Sequence, residues 1–222
     1  ERDDMDGLLR VQWTVTPKDT PQPLIACNRC GCNKPFQSSG KFRLNAQGKR
    51  LDAWLIYKCT SCQNTWNCPI WERLNIRETD PVLMEALHLN DQVLAKSLAF
   101  DIERLRQHTR QVKECADMDV HKELVSNPAR PWSALEIVMI VPFSTSSRTD
   151  RLLASELGLS RARIRTFEKN GILRLTQPES LSIRRPVKDQ MHVYFDLLRI
   201  VGRLDVGMTA AGFPEGIASN AF

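Results

Sequence analysis

Two Cys-x-x-Cys pairs constrain this chain more than any other feature of its sequence. The first is Cys27-Asn-Arg-Cys30 and the second is Cys59-Thr-Ser-Cys62, with positions 31–58 between them. Cysteines two residues apart can point their thiolates at one centre from a tight turn, and two such turns supply the four tetrahedral ligands that zinc prefers. The sequence therefore predicts a zinc site formed by Cys27, Cys30, Cys59 and Cys62.

Two other interpretations of the cysteines remain open. Cys32 and Cys68 lie close enough in sequence to replace a member of either pair as a ligand. A disulfide framework is the second, but the chain has seven cysteines, an odd number, and its first residues are charged and form no secretory leader. A reducing compartment fits these features better, so we expect a cytoplasmic protein. Four thiolates leave no open position for water or substrate, which predicts a structural Zn²⁺ ion.

The segment between the two pairs is typical of a β-hairpin. Basic and apolar residues alternate over Lys41–Leu44, Gln47-Gly48 suits a turn, and residues 51–57 lead to Cys59. Two metal-binding turns joined by a hairpin make a zinc ribbon, in which the metal substitutes for a core that so short a segment cannot build. We therefore predict a zinc-ribbon β domain, a small antiparallel sheet, over residues 1–78.

A helical spacer is predicted over residues 79–126. Pro81 suits the first position of a short helix. A second helix is expected from about Asp91, because leucine and isoleucine recur at helical spacing as far as Leu105. Near the N-terminus, apolar and polar residues alternate over 9–15, which predicts a half-buried strand.

Charge is segregated along the chain. Lys and Arg outnumber Asp and Glu by four over residues 1–68 and by six over 148–188, whereas residues 69–126 carry a net charge of −3. Two basic ends around an acidic middle favour a polyanionic partner such as nucleic acid. The alternative interpretation is that the net charge of +5 serves only to keep the protein soluble. The longest strongly apolar run, Ile137–Val141, is far shorter than the roughly 20 residues that span a bilayer, so no membrane role is expected.

Two short helices joined by a turn carry the strongest functional signal. A leucine-lined first helix turns at Gly158 into a second helix, for which Ser160 is a favourable N-cap. On the second helix Arg161, Arg165 and Lys169 fall at i, i+4 and i+8, and therefore on one face.

This part of the chain resembles the S-four domain, the RNA-binding domain named after the fourth protein of the small ribosomal subunit. The family's opening Arg-x-Asp-x-Leu-Leu helix is matched by Arg148–Leu153, its Ser-Arg helix start by Ser160-Arg161, and its Gly-hydrophobic step into a strand by Gly171-Ile172. The resemblance runs from Arg148 to Phe195. It departs from the family in a longer turn after Leu175 and in the missing glycine of a later turn.

The resemblance implies an αα-β module over residues 127–209, followed by a short tail over 210–222. It also implies a surface for structured RNA, such as ribosomal or transfer RNA. Guanidinium groups suit such a surface because they bind phosphates bidentately and stack on unpaired bases. The predicted RNA-binding residues are Arg148, Arg151, Ser160, Arg161 and Arg165 by resemblance, with Lys169 beside them on the helix face.

The whole chain is also similar to an uncharacterised bacterial family, a domain of unknown function. The similarity rests on Lys41–Ala46, Asp52–Cys59 and Thr65–Asn67. It implies a shared fold and a bacterial origin, and it supplies no activity.

Together these features predict an α+β protein with a zinc ribbon, a helical middle segment and an S-four-like module, acting as a non-enzymatic RNA-binding protein. The alternative is a helix-turn-helix DNA-binding regulator, because Ala154, Gly158 and Ile164 also match that motif's spacing. A second alternative is an RNA-modifying enzyme with a catalytic centre that no motif reveals. The four histidines lie apart from any cysteine-glutamate cluster, and the chain has no Gly-rich phosphate loop.

Overall fold

The fold was obtained as a computed structural model, which describes residues 7–177 and 182–213. The chain forms two compact units. Asp19–Cys115 make one, which we call the inserted unit, and the chain on either side of it makes the other, the host unit. Within the described residues, the strands are β1 Leu8–Pro17, β2 Gln22–Cys27, β3 Cys32–Gln47, β4 Arg50–Cys59, β5 Thr65–Asn75, β6 Val112–Lys113, β7 Met118–Ser126, β8 Ala134–Ile140, β9 Leu173–Gln177 and β10 Met191–Asp196.

Helices complete a mixed α+β architecture. Short 3₁₀ turns occur at Ile76–Glu78 and Leu197–Arg199. The helices described are α1 Pro81–His88, α2 Gln92–Ala99, α3 Ile102–His108, α4 Thr149–Glu156, α5 Arg161–Lys169 and α6 Arg203–Ala210. None of these helices is both long enough and apolar enough to cross a membrane.

The described residues of the host unit contain a five-stranded sheet in the order β7-β1-β8-β10-β9. Only β1 and β8 run parallel, with Val11 opposite Ile137, and the other described pairs are antiparallel. The alternation in β1 buries Leu9, Val11, Trp13 and Val15 on one face, as predicted for a half-buried strand. These side chains share a core with apolar residues of α4, α5 and α6, so the three helices pack on this face of the sheet.

The inserted unit is a second five-stranded sheet, in the order β5-β4-β3-β2-β6. All its pairs are antiparallel. Helices α1, α2 and α3 lie between β5 and β6 in the chain. Each is preceded by an N-cap aspartate whose carboxylate accepts a hydrogen bond from a backbone N–H of the first turn: Asp80, Asp91 and Asp101. Their apolar residues pack with those of β3, β4 and β5 in one core.

The boundaries of the two compact units differ from those of the predicted segments 1–78, 79–126 and 127–209. The strand predicted near the N-terminus pairs with β7 and β8, not with the cysteine-bearing strands. The predicted helical spacer ends in β7, an edge strand of the host sheet in which Met118 and Val120 alternate with polar residues and are only partly buried. These pairings join residues more than a hundred positions apart, and local periodicity carries no information about them.

Two local predictions of secondary structure need correction. The helix expected from Asp91 to Leu105 is interrupted, because Asp101 starts a new helix while the apolar spacing continues across the break. The sequence of residues 181–184, beyond the second helix of the pair, also predicts a short strand, but the described residues 182–184 do not form one. Leu181 lies outside the described residues, and the chain turns over Ser182–Arg185, where the N–H of Arg185 donates to the carbonyl of Ser182.

Candidate metal centre and basic surface

Each cysteine pair occupies the turn of a hairpin. Cys27 ends β2 and Cys30 lies in the turn to β3, where the N–H groups of Cys30 and Gly31 both donate to the Cys27 carbonyl, at 3.1 and 2.9 Å. Gly31 has a φ of +69°, a conformation that glycine adopts without steric cost. The turn after Cys59 is similar, with Gln63 in the left-handed region and its N–H donating to the Cys59 carbonyl at 3.0 Å.

The pairing of β3 with β4 brings the two turns together. Phe36 lies opposite Cys59 in this ladder, a few residues after the first turn. The N–H of Thr60 donates to the Pro35 carbonyl at 3.1 Å, which ties the second turn to β3. Cysteines far apart in the sequence therefore meet because of sheet register.

The four sulfur atoms are spaced as ligands of one metal ion. All lie within 4.8 Å of one another, and the Sγ–Sγ distances are 3.5 Å for Cys27 and Cys62 and 3.9 Å for Cys30 and Cys59. Sulfur atoms about 2.3 Å from a central zinc ion are about 3.8 Å apart at the corners of a tetrahedron. Cys27, Cys30, Cys59 and Cys62 can therefore hold a metal ion.

The pKa values of the four cysteine thiols also favour the binding of a cation among them. Burial raises the pKa of Cys27, but hydrogen bonds from the Cys30 N–H and the Cys62 thiol outweigh it and lower this pKa to about 6. The hydrogen bond with Cys62, with burial next, raises the pKa of Cys30 to about 12. Four thiols this close cannot all ionise by themselves, and a bound divalent cation would supply the positive charge that their ionisation requires.

The other cysteines considered as ligands lie outside this group. Cys32 is exposed and lies opposite Cys27 in the β2–β3 ladder. Cys68 is buried in the core of the inserted unit, where burial raises its pKa to about 11.

In the host unit, three arginines converge on one buried carboxylate. Asp150 is fully buried and accepts from Arg165 Nη2 at 3.0 Å, from Arg148 Nη2 at 3.2 Å and from Arg161 Nη2 at 3.3 Å. The arginine side chains remain 41 to 46% exposed. Burial opposes ionisation of Asp150, but hydrogen bonds from Arg165 and Arg161 overcome it and lower the pKa of the carboxyl below its usual value. Three cations around one anion leave a net positive surface.

The loop before β10 adds two arginines that the sequence analysis missed. The N–H of Asp150 donates to the Ile183 carbonyl at 2.7 Å, and that of Thr149 donates to the Arg185 carbonyl at 3.0 Å. Glu168 of α5 accepts from the N–H of Ile183 at 3.1 Å. The exposed residues Arg184 and Arg185 are thus held beside the start of α4. We call Arg148, Arg161, Arg165, Arg184 and Arg185 the basic surface. In the sequence, the Arg-Arg doublet was the one sign that these residues could bind a polyanion, but only tertiary contacts show that they lie beside α4.

The remaining predicted RNA-binding residues do not bind Asp150 and are not part of the basic surface. Ser160 caps α5, its hydroxyl accepting from the N–H of Arg163 at 3.1 Å, so its role here is local. Arg151 faces Asp117 at 3.9 Å between exposed side chains. Lys169 is exposed in the last turn of α5.

Comparison with known proteins relates the chain to one described family. The sequence model of a family described as "Protein of unknown function (DUF1062)" matches residues 44–179, which is more than half of the 222-residue chain. No curated protein and no solved structure matches the chain significantly. The matched segment contains the second cysteine pair and the helices α4 and α5, while Cys27 and Cys30 precede it.

Proposed function

We propose that this chain, which belongs to the DUF1062 family, is a non-enzymatic RNA-binding protein that contacts structured RNA through the basic surface of its host unit. The observation that carries the proposal is the convergence of Arg148, Arg161 and Arg165 on the buried Asp150. A shared carboxylate fixes the arginines in place before any ligand arrives, so less side-chain entropy is lost on binding.

The chemistry of the basic surface suits phosphates and exposed bases. Guanidinium groups bind phosphate oxygens bidentately and stack on unpaired bases. The residues 148–188 that contain the surface carry a net charge of +6, which favours a polyanion at long range. The resemblance to the S-four domain over the same residues supports RNA as the ligand. The classes of RNA that this resemblance implies are ribosomal and transfer RNA.

A DNA-binding role is the second candidate, favoured by the geometry of the helix pair. A short turn joins α4 to α5, and Gly158 in this turn has a φ of +63°, as suits a helix-turn-helix. Against it, the pattern that matches the S-four domain continues past the two helices through Gly171-Ile172 into β9, whereas a helix-turn-helix consists of the helix pair alone. We therefore rank RNA first.

For the four-cysteine group we propose a structural zinc ion in a ribbon-like arrangement. Four sulfurs at tetrahedral spacing suit zinc, and a shell closed by four thiolates leaves no position for a substrate. The ion would hold the two hairpin turns together and so stabilise the sheet of the inserted unit.

The proposal is tested by removing the side chains of Arg184 and Arg185, the two arginines of the basic surface that do not bind Asp150. Arg184→Ala with Arg185→Ala should weaken binding to a structured RNA by roughly tenfold or more. The slope of log affinity against log salt should fall by about 0.7 to 0.9 for each phosphate that the variant no longer contacts. Filter binding or fluorescence anisotropy over a salt series measures both quantities. The backbone carbonyl of Arg185 that accepts from Thr149 is retained in the variant, so the fold should persist.

Arg77→Ala is the matched control, because Arg77 is exposed and lies in the inserted unit. Its affinity and salt slope should equal those of the unaltered protein. Equal losses in both variants, or no loss in either, would show that the basic surface is not where RNA binds.

A further inference from the structure

A cavity of about 380 Å³ lies beside the outer edge of β2, the edge that faces away from β3. It is at the small end of the roughly 300–1,000 Å³ range of ligand pockets. All of its residues belong to the inserted unit. The cavity is lined by Leu24–Ala26, Asn33, Trp66 and His108–Gln111.

The outer edge of β2 is only partly covered. Strand β6 pairs with it at Gln22 and Pro23, the Leu24 N–H donates to the Gln111 carbonyl at 2.9 Å, and the Thr109 hydroxyl donates to the Leu24 carbonyl at 2.8 Å. Backbone groups of alternate residues point to the same edge of a strand, so those of Ala26 point outward like those of Leu24. Within the described residues no strand pairs with β2 at Ala26, so its backbone N–H and C=O lie at this edge, and Ala26 is one of the residues that line the cavity.

An aromatic wall and a cation complete the cavity. Trp66 is half-buried and held by Tyr57, with ring centroids 5.4 Å apart, and by His108 in an edge-on contact at 6.5 Å. Arg110 lines the cavity and is exposed. A fixed aromatic ring, a backbone donor beside an acceptor, and a guanidinium group are the elements that recognise a base and its phosphate.

We propose that this cavity binds one nucleotide, with the base against Trp66 and the backbone of Ala26 and the phosphate at Arg110. An extended peptide is the other ligand that a free strand edge can take. The edge disfavours it, because strand addition needs several backbone pairs in succession, whereas Leu24 is already bonded and Cys27 begins the metal-binding turn. A base needs only one donor and one acceptor at its edge.

The nucleotide can be free or can be an unpaired residue of the RNA bound by the basic surface, and only the second source rests on the proposed function. Calorimetric titration of the full zinc-loaded chain tests both. The probes are adenosine monophosphate, a single-stranded RNA of four adenylates, and ribose 5-phosphate, which lacks a base. An alanine tetrapeptide probes strand addition.

Adenosine monophosphate and the tetranucleotide should both bind, and ribose 5-phosphate should bind at least about fivefold more weakly because it cannot stack. Arg110→Gln should weaken both nucleotide probes roughly tenfold, because it removes charged hydrogen bonds to the phosphate. Arg106→Gln is the control, because Arg106 is exposed on α3, pairs with Glu114 at 3.6 Å and does not line the cavity. Trp66→Phe keeps an aromatic ring in the core and should weaken binding without unfolding the unit.

Tighter binding of the tetranucleotide than of adenosine monophosphate assigns the site to RNA, and equal binding assigns it to free nucleotides. The proposal is overturned if neither nucleotide binds at up to about 5 mM, a level that reveals even millimolar dissociation constants. It is also overturned if the tetrapeptide alone binds, or if Arg106→Gln weakens binding as much as Arg110→Gln. Such a failure leaves the arginine-dependent binding of structured RNA untouched, because that binding is measured with Arg184 and Arg185.

Discussion

Replacing Cys59 with serine should unfold the inserted unit and leave the host unit folded. Cys59 is fully buried and is one of the four sulfurs that the two turns bring together. A serine hydroxyl is a poor ligand for zinc, and small domains built on four cysteines generally lose their fold with the metal. We expect the melting temperature of the inserted unit to fall by at least about 15 °C. Chelation of the metal should do the same.

Hydrogen exchange followed by mass spectrometry separates the two units in the intact chain. Peptides from β2 to β5 should lose protection in Cys59→Ser, and those from β1, β8 and β10 should keep it. Cys32→Ser is the matched control, because Cys32 is exposed and lies outside the sulfur group, so it should retain one zinc ion per chain and full protection. Unchanged protection of β2 to β5 after complete metal removal would contradict a structural role for the ion.

Asp150→Asn should be the most damaging single change in the host unit that preserves side-chain volume. The substitution removes the negative charge that compensates Arg148, Arg161 and Arg165. Breaking a buried ion pair commonly costs about 3–5 kcal/mol. Because the arginine side chains are 41 to 46% exposed and can turn toward water, we expect about 2–4 kcal/mol less stability toward unfolding by urea. RNA affinity should fall as well, because the arginines are no longer held in place.

The pH dependence gives this prediction a distinct signature. The pKa of Asp150 is lowered in the folded protein, so its stabilising effect is complete above the ordinary carboxyl pKa of about 4 and is lost as pH falls below it. The difference in unfolding free energy between the unaltered protein and Asp150→Asn should therefore be constant near neutral pH and shrink in acid. Asp119→Asn, at an exposed ion pair with Lys18, should change stability by less than about 1 kcal/mol at any pH. A difference that does not change with pH would show that the carboxylate charge is not what stabilises the arginines.

The local parts of the fold and the four-cysteine cluster could be predicted from sequence because their signals are short-range. Spacing alone identified Cys27, Cys30, Cys59 and Cys62, since a Cys-x-x-Cys turn has few ways to fold. The α4–α5 pair was likewise visible in its leucines, Gly158 and the cap residue Ser160.

The sheet of the host unit could not be predicted, because it is assembled from distant parts of the chain. Strand β1 has the pattern of a half-buried strand, but nothing in residues 8–17 shows that it lies between β7 and β8. The complete basic surface could not be predicted for the same reason. Arg184 and Arg185 lie beside Asp150 only because the loop that carries them bonds to the first turn of α4 and to Glu168, and these contacts have no periodicity in sequence.

Competition between RNA and DNA for the intact protein tests the central claim most directly. A labelled RNA hairpin is bound at physiological salt and displaced by unlabelled hairpin or by a DNA duplex of the same stem sequence. RNA recognition by shape and 2′-hydroxyl contacts predicts displacement by the RNA at a concentration at least about tenfold lower than by the DNA. Equal displacement would show only non-specific attraction to phosphates, and stronger displacement by the DNA duplex would contradict the account and favour a DNA-binding regulator.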